Sequence, residues 1–247
     1  MTEQKLWKFL NRPASPPPFG PIHYTPVLLS DSKGKYLKEF LGSSVVENRA
    51  QFWYKGSSTT RQTFEWLRDN IDRKIQRHGP LWIYIWVGTC DLTTKNGDYI
   101  HIKSESDNST VSYITEYYQR FADLINSRPN CKYTFLETPV YSIQHFNESR
   151  DHPNPKEFKN QDKELQSQIY ELNGYIQQAN TANNTKSPLF SADLCRRSNY
   201  RLGYHHRRSA GRATYNFSLY SDGIHPERIL SQVWLRKILK QMKTDFW

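Results

Sequence analysis

The sequence predicts an α/β fold, a mainly parallel sheet with helices on both faces. Three observations carry this expectation. Apolar segments along the chain alternate between strand-like runs and helical spacing. Residues 81–87 (LWIYIWV) form an unbroken apolar run, β-branched and aromatic, bounded by Gly79-Pro80 and Gly88. That is the signature of a central strand buried on both faces. The chain has 247 residues, enough for one α/β domain with a sizeable core.

The elements follow in order. Residues 1–22 read as a polar, proline-rich lead-in, and residues 23–247 as a single domain. Ser15-Pro16-Pro17-Pro18 excludes helix and inner strand, and polyproline II is its natural state. Residues 24–30 read as a buried strand and 35–41 as a short helix. Residues 44–54 contain a second strand. Residues 58–77 place Phe64, Leu67, Ile71 and Ile75 at helical spacing, with Ser58 or Thr59 as cap. The run at 81–87 is the third strand. Residues 109–127 form a capped amphipathic helix, and 132–140 a further strand. Residues 156–182 form a long polar helix with Leu165, Ile169, Leu172 and Ile176 on one face. Residues 188–194 read as a fifth, short strand. Residues 225–243 hold a final helix carrying Ile229, Val233, Leu235, Ile238 and Leu239.

Composition narrows the function classes. Hydrophobic residues are only 36% of the chain, but aromatic residues reach 14%, so tyrosine and tryptophan supply core area that aliphatics do not. The formal charge is +10, which attracts anions: nucleic acid, phospholipid headgroups or acidic substrates. The excess is local. Arg196, Arg197, Arg201, Arg207, Arg208 and Arg212 fall between Cys195 and Tyr220 with two histidines and no acid. Cys90, Cys131 and Cys195 show neither a paired metal spacing nor a disulfide framework. The N-terminus has no apolar h-region, and no apolar stretch has bilayer length. An intracellular protein, cytoplasmic or nuclear, is expected.

In open parallel sheets, ligands bind beyond the carboxyl ends of the strands. Polar residues gather at those positions. Strand one ends in Ser30-Asp31-Ser32-Lys33-Gly34, strand two in Lys55-Gly56-Ser57-Ser58, and strand three in Gly88-Thr89-Cys90-Asp91. The last helix is preceded by Ser221-Asp222-Gly223-Ile224-His225-Pro226. A turn over Asp222 and His225 allows the carboxylate to hold the imidazole while the other ring nitrogen takes a proton from a hydroxyl. The same four residues also suit a simple Asx cap with an exposed histidine. Ser32 reads equally as a helix N-cap. The cap and nucleophile readings are compatible, because a hydroxyl at a helix start faces backbone N–H groups that can stabilise an oxyanion.

Four such stations in this order resemble the SGNH hydrolases, the GDSL-like esterase and lipase superfamily. Ser30-Asp31-Ser32 matches the family's Gly-Asp-Ser block, Gly56 its lone glycine, Gly88-Thr89-Cys90-Asp91 its Gly-x-Asn-Asp block, and Asp222-Gly223-Ile224-His225 its Asp-x-x-His block. The resemblance covers residues 24–243. It implies a flavodoxin-like three-layer α/β/α sandwich with a five-stranded parallel sheet. It implies a serine esterase acting on a small-molecule or lipid-like acyl ester without metal or organic cofactor. Ser32 would be the nucleophile, His225 the base and Asp222 its orienting partner. The backbone N–H groups of Ser32 and Gly56 would form two thirds of the oxyanion hole, with Cys90 at the third position.

The chain departs from the family at two positions. Ser30 stands where a glycine is usual. Cys90 stands where the family has an asparagine that donates to the oxyanion. A thiol is a weak donor, and one lost oxyanion donor costs about two to three orders of magnitude in kcat. Three outcomes stay open: a slow esterase, a compensated site in which Thr89 or a water donates, and a catalytically silent fold. In the last case the arginine cluster, interleaved with tyrosine, suits phosphate contacts and base stacking. SGNH-type esterase domains also occur in some retrotransposon-encoded proteins beside nucleic-acid-binding activity. The cluster also reads as a solvated loop, or as a hold for an anionic acyl group or headgroup. His205-His206 has no further ligand at metal spacing. A nucleotide-binding reading lacks both G-x-G-x-x-G and P-loop spacing.

Overall fold

The computed structural model describes residues 2–13, 16, 20–104, 108–195 and 214–246. Four parallel strands form the sheet in the order β2-β1-β3-β6: β1 (Thr25–Ser30), β2 (Gln51–Tyr54), β3 (Leu81–Trp86) and β6 (Cys131–Phe135). All six residues of β3 are buried, as its unbroken apolar run predicts for a strand covered on both sides. Helices α4 (Thr60–His78), α6 (Ser109–Asn126) and α8 (Lys159–Ala182) pack together on one side of the sheet. Helices α1 (Glu3–Leu10), α2 (Lys33–Lys38), α3 (Val45–Arg49) and α10 (Arg228–Phe246) form the other layer. The three layers meet in one continuous core. Among the described residues, no helix is long and apolar enough to cross a membrane.

The sheet has four strands, not the expected five. Residues 188–194 supply a partly buried bend and the short helix α9 (Ser191–Leu194) instead. Backbone chemistry explains the difference. The outer edge of β6 is already satisfied by amide side chains of α8. Asn180 accepts from Phe135 N at 2.9 Å and donates to Phe135 O at 2.7 Å. Asn173 repeats the exchange with Thr138 at 2.8 and 2.9 Å, and Asn183, at the end of the helix, donates to Tyr133 O at 2.8 Å. These asparagines take the hydrogen bonds a fifth strand would make, so the edge is closed without one.

Other expectations are refined. The segment 44–54 begins as α3, closed by a Ser44–Glu47 capping box, and turns to strand at Gln51. The strand expected over 132–140 stops at Phe135. The long polar helix starts as a 3-10 turn at Pro155–Phe158 before α8. The lead-in contains α1, whose Leu6 is buried against the core. Arg236 of α10 ties it down by donating to the carbonyls of Leu10 and Arg12. Ser15, Pro17 and Pro18 of the proline run lie outside the described residues. The hairpin of β4 (Thr93–Asn96) and β5 (Tyr99–Ile102) was not expected, although Gly97-Asp98, the two residues that turn between the paired Asn96 and Tyr99, is a known hairpin turn pair.

Candidate active site

Ser32 lies between β1 and α2 as the residue preceding the helix. Its hydroxyl does not cap α2. Its Oγ lies 3.1 Å from Nε2 of His225, across 193 positions of sequence. His225 Nδ1 lies 2.7 Å from Asp222 Oδ2. A ring nitrogen bonded to a carboxylate carries the proton, so this pairing assigns the Nδ1–H tautomer and leaves the Nε2 lone pair for the Ser32 hydroxyl.

The turn that brings Asp222 and His225 together is built from within. Asp222 Oδ1 accepts from Ile224 N at 3.1 Å and His225 N at 2.8 Å. The cap and the orienting carboxylate are therefore one residue using its two oxygens. Ser221 N donates to His225 O at 2.8 Å. Gly223 has φ +85° and lies against α7 (Ile143–Glu148), with Ser142 N donating to its carbonyl at 3.1 Å. A Cβ there would fall 2.7 Å from Phe146 N. Burial pushes the Asp222 carboxyl up, but the hydrogen bonds and charge of His225, with the Ile224 amide, outweigh it and hold the group below its ordinary value. Tyr36 of α2 covers the imidazole, with ring centroids 5.0 Å apart.

Gly56 lies in the exposed turn after β2. Lys55 N donates to Ser30 O at 3.2 Å and holds that turn against the tip of β1. A Cβ built on Gly56 meets no atom within 4 Å, so the space before it is open. Neither Ser32 N nor Gly56 N has a hydrogen-bond partner among the described residues. The two amides follow adjacent strands of the sheet, Ser32 after β1 and Gly56 after β2.

Cys90 sits in the short helix α5 (Thr89–Leu92) after β3 and is partly buried. Its thiol has no hydrogen-bond partner among the described residues. Burial, and then the neighbouring Asp31 charge, push this thiol up to about 12, so it stays protonated near neutrality. Thr89 faces elsewhere: its hydroxyl accepts from Lys33 Nζ at 2.6 Å. Asp91 accepts from Thr60 N at 2.8 Å and Thr60 Oγ1 at 2.7 Å, which anchors the start of α4 to the end of β3.

Sequence reasoning missed Lys33. Its side chain is 2% exposed and its ammonium lies 2.6 Å from Asp31 Oδ2. It also lies 5.1 Å from the Trp86 ring centroid. A lysine in the first turn of a helix gives no sequence signal of burial. Tyr36 and the bracing role of α7 were missed for the same reason, since both depend on contacts distant in sequence. Arg196, Arg197, Arg201, Arg207, Arg208 and Arg212 lie outside the described residues.

No family model matches the chain, and no curated protein matches it. Solved structures do. A GDSL-like lipase from Bacteroides thetaiotaomicron superposes with a TM-score of 0.60 at 14% identity, over 98% of each chain. A putative acylhydrolase from Bacteroides fragilis gives 0.59 at 14%, over 99% of this chain and 95% of its own. The acetyl xylan esterase AlAXEase gives 0.53 at 14%, over 87% of this chain and 98% of its own. The chain has the fold of the SGNH, GDSL-like hydrolases.

Proposed function

We propose that the protein is a serine hydrolase of small acyl esters. The observation that carries this reading is the relay of Ser32 Oγ to His225 Nε2 at 3.1 Å and His225 Nδ1 to Asp222 Oδ2 at 2.7 Å. Similarity of fold to lipases and an acetyl xylan esterase supports the same class.

In this reading the Ser32 proton passes to His225 Nε2 as Oγ forms a bond to the ester carbonyl carbon. The carbonyl π pair moves to oxygen, which meets the free amides of Ser32 and Gly56. Asp222 stabilises the imidazolium and keeps its orientation. Collapse breaks the bond to the alcohol, which leaves with the proton from His225. Water then gives a proton to His225 Nε2 as it attacks the acyl carbonyl carbon, and collapse breaks the bond to Ser32 Oγ, which takes that proton back as the acid leaves. Cys90 stays a neutral thiol throughout, a weak donor at the third position.

A fluorophosphonate probe tests the proposal. The wild-type chain is expected to label at Ser32, and Ser32→Ala to lose both labelling and hydrolysis of 4-nitrophenyl acetate. Folded wild-type protein that does not label, or that labels equally as Ser32→Ala, overturns it. Hydrolysis is expected to fall by about four to six orders of magnitude in that variant.

A further inference from the structure

A cavity of about 520 Å³ opens at the β2 edge of the sheet. Its walls are Phe52, Trp53 and Tyr54 of β2 and Trp66 of α4. Lys38 of α2 and Lys55, just after β2, also line it. Its inner end reaches Ser30, which pairs with Tyr54 in the sheet and lies two residues before Ser32. Lys55 precedes Gly56. Through Ser30 and Lys55 the cavity reaches the ends of β1 and β2, the two strands that Ser32 and Gly56 follow.

Its chemistry is narrow. Tyr54 is 39% and Trp66 38% exposed, large aromatic surfaces left to water beside the proposed site. Among the other polar groups in the wall, Ser58 pairs with Thr63 at 2.9 Å and the Gln62 side-chain carbonyl accepts from Thr59 N at 3.1 Å. Lys38 and Lys55 have no carboxylate partner among the described residues, and no acid lines the cavity. Lys38 Nζ lies 5.7 Å from the Tyr54 centroid. Outside the lining, Lys74 lies 4.9 Å from the Trp53 centroid and 5.7 Å from that of Trp66. An aliphatic chain would leave these cations unused. A bare phosphate would leave the aromatic walls wet. A flat aromatic group with a negative charge satisfies both, by ring contact with the walls and by ion pairing at the lysines.

We infer that this cavity binds a negatively charged aromatic group, the arm of the ester substrate that lies beside Ser32. The inference rests on the hydrolase reading for the word ester, and on the cavity alone for binding. Two measurements separate them. In Ser32→Ala, quenching of tryptophan fluorescence by 2-naphthoate is expected to saturate, and binding to exceed that of neutral 2-naphthamide. Trp66→Ala is expected to weaken naphthoate binding about tenfold or more. Lys38→Gln/Lys55→Gln is expected to erase the preference for naphthoate over naphthamide. In the enzyme with Ser32 intact, kcat/KM for the 4-nitrophenyl ester of terephthalic acid is divided by that for 4-nitrophenyl acetate. Both variants are expected to lower this ratio about tenfold, mainly through KM. Absence of saturable binding, binding that Trp66→Ala leaves unchanged, or a ratio that neither variant moves in an active enzyme overturns the inference. Naphthoate binding with the expected variant pattern, in a chain that hydrolyses no ester, upholds the cavity and removes the hydrolase reading.

Discussion

Lys33 and Asp31 pair at 2.6 Å with side chains 2% and 1% exposed, one on each side of Ser32 in sequence. Asp31 also accepts from Lys33 N at 3.0 Å, so the carboxylate holds both the backbone and the ammonium of one residue. The ammonium reaches on to Thr89 Oγ1 at 2.6 Å. The pair thus binds the end of β1 to the end of β3 and fixes the backbone on either side of the candidate nucleophile.

Lys33→Met is expected to destabilise the fold by about 3–5 kcal/mol, because it leaves a buried carboxylate uncompensated. Adding Asp31→Asn is expected to restore much of that loss. Urea unfolding of the two variants checks this. Equal stability of Lys33→Met and wild type would show that the pair is not energetically coupled to folding.

Cys90→Asn is expected to raise kcat for ester hydrolysis by about two to three orders of magnitude, by placing an amide donor where the thiol now stands. In the wild-type protein the thiol, held up to about 12 by burial and then by Asp31, is expected to react far more slowly with iodoacetamide than a free cysteine does. Mass spectrometry of the timed reaction reads the second expectation.

Gly223→Ala is expected to lower both stability and turnover. A non-glycine residue at φ +85° is strained by about 1–2 kcal/mol, and the new methyl meets the Phe146 amide at 2.7 Å. Relief requires the Asp222–His225 turn to shift away from α7. Displacement of His225 from Ser32 is then read as a fall in kcat larger than the fall in thermal stability accounts for.

Glu137, after β6, carries a pH-dependent term. Burial pushes its carboxyl from an ordinary 4.5 to about 7, against the opposing Ser191 hydrogen bond. Its Oε2 has no partner among the described residues. Between those values the folded chain holds a proton that the unfolded chain has released. Stability is therefore full below the lower value and falls as pH rises toward the upper one. Glu137→Gln retains an acceptor for Ser191 N, which Glu137 Oε1 meets at 3.1 Å, and removes the titration. Urea midpoints measured across this range are expected to fall in wild type and to flatten in the variant.

Much of the architecture was legible because it depends on local rules. The buried run at 81–87 had to be a covered strand, and Thr59 with Gln62 closes the capping box that opens α4. Residues 188–194 misled because a short apolar run reads alike as strand or buried turn. The choice lay with Asn173, Asn180 and Asn183, which close the edge of β6 from the α8 side.

The sequence by itself determined the alternation of strands and helices and the four polar stations at the strand ends. Local periodicity and turn chemistry are enough for that. Only the tertiary structure decided that Ser32 faces His225 across 193 positions, that Lys33 is buried, and that the sheet stops at four strands. Those outcomes depend on which backbone and charged groups find partners when distant segments pack, and pairing between distant groups leaves no periodic trace in the chain.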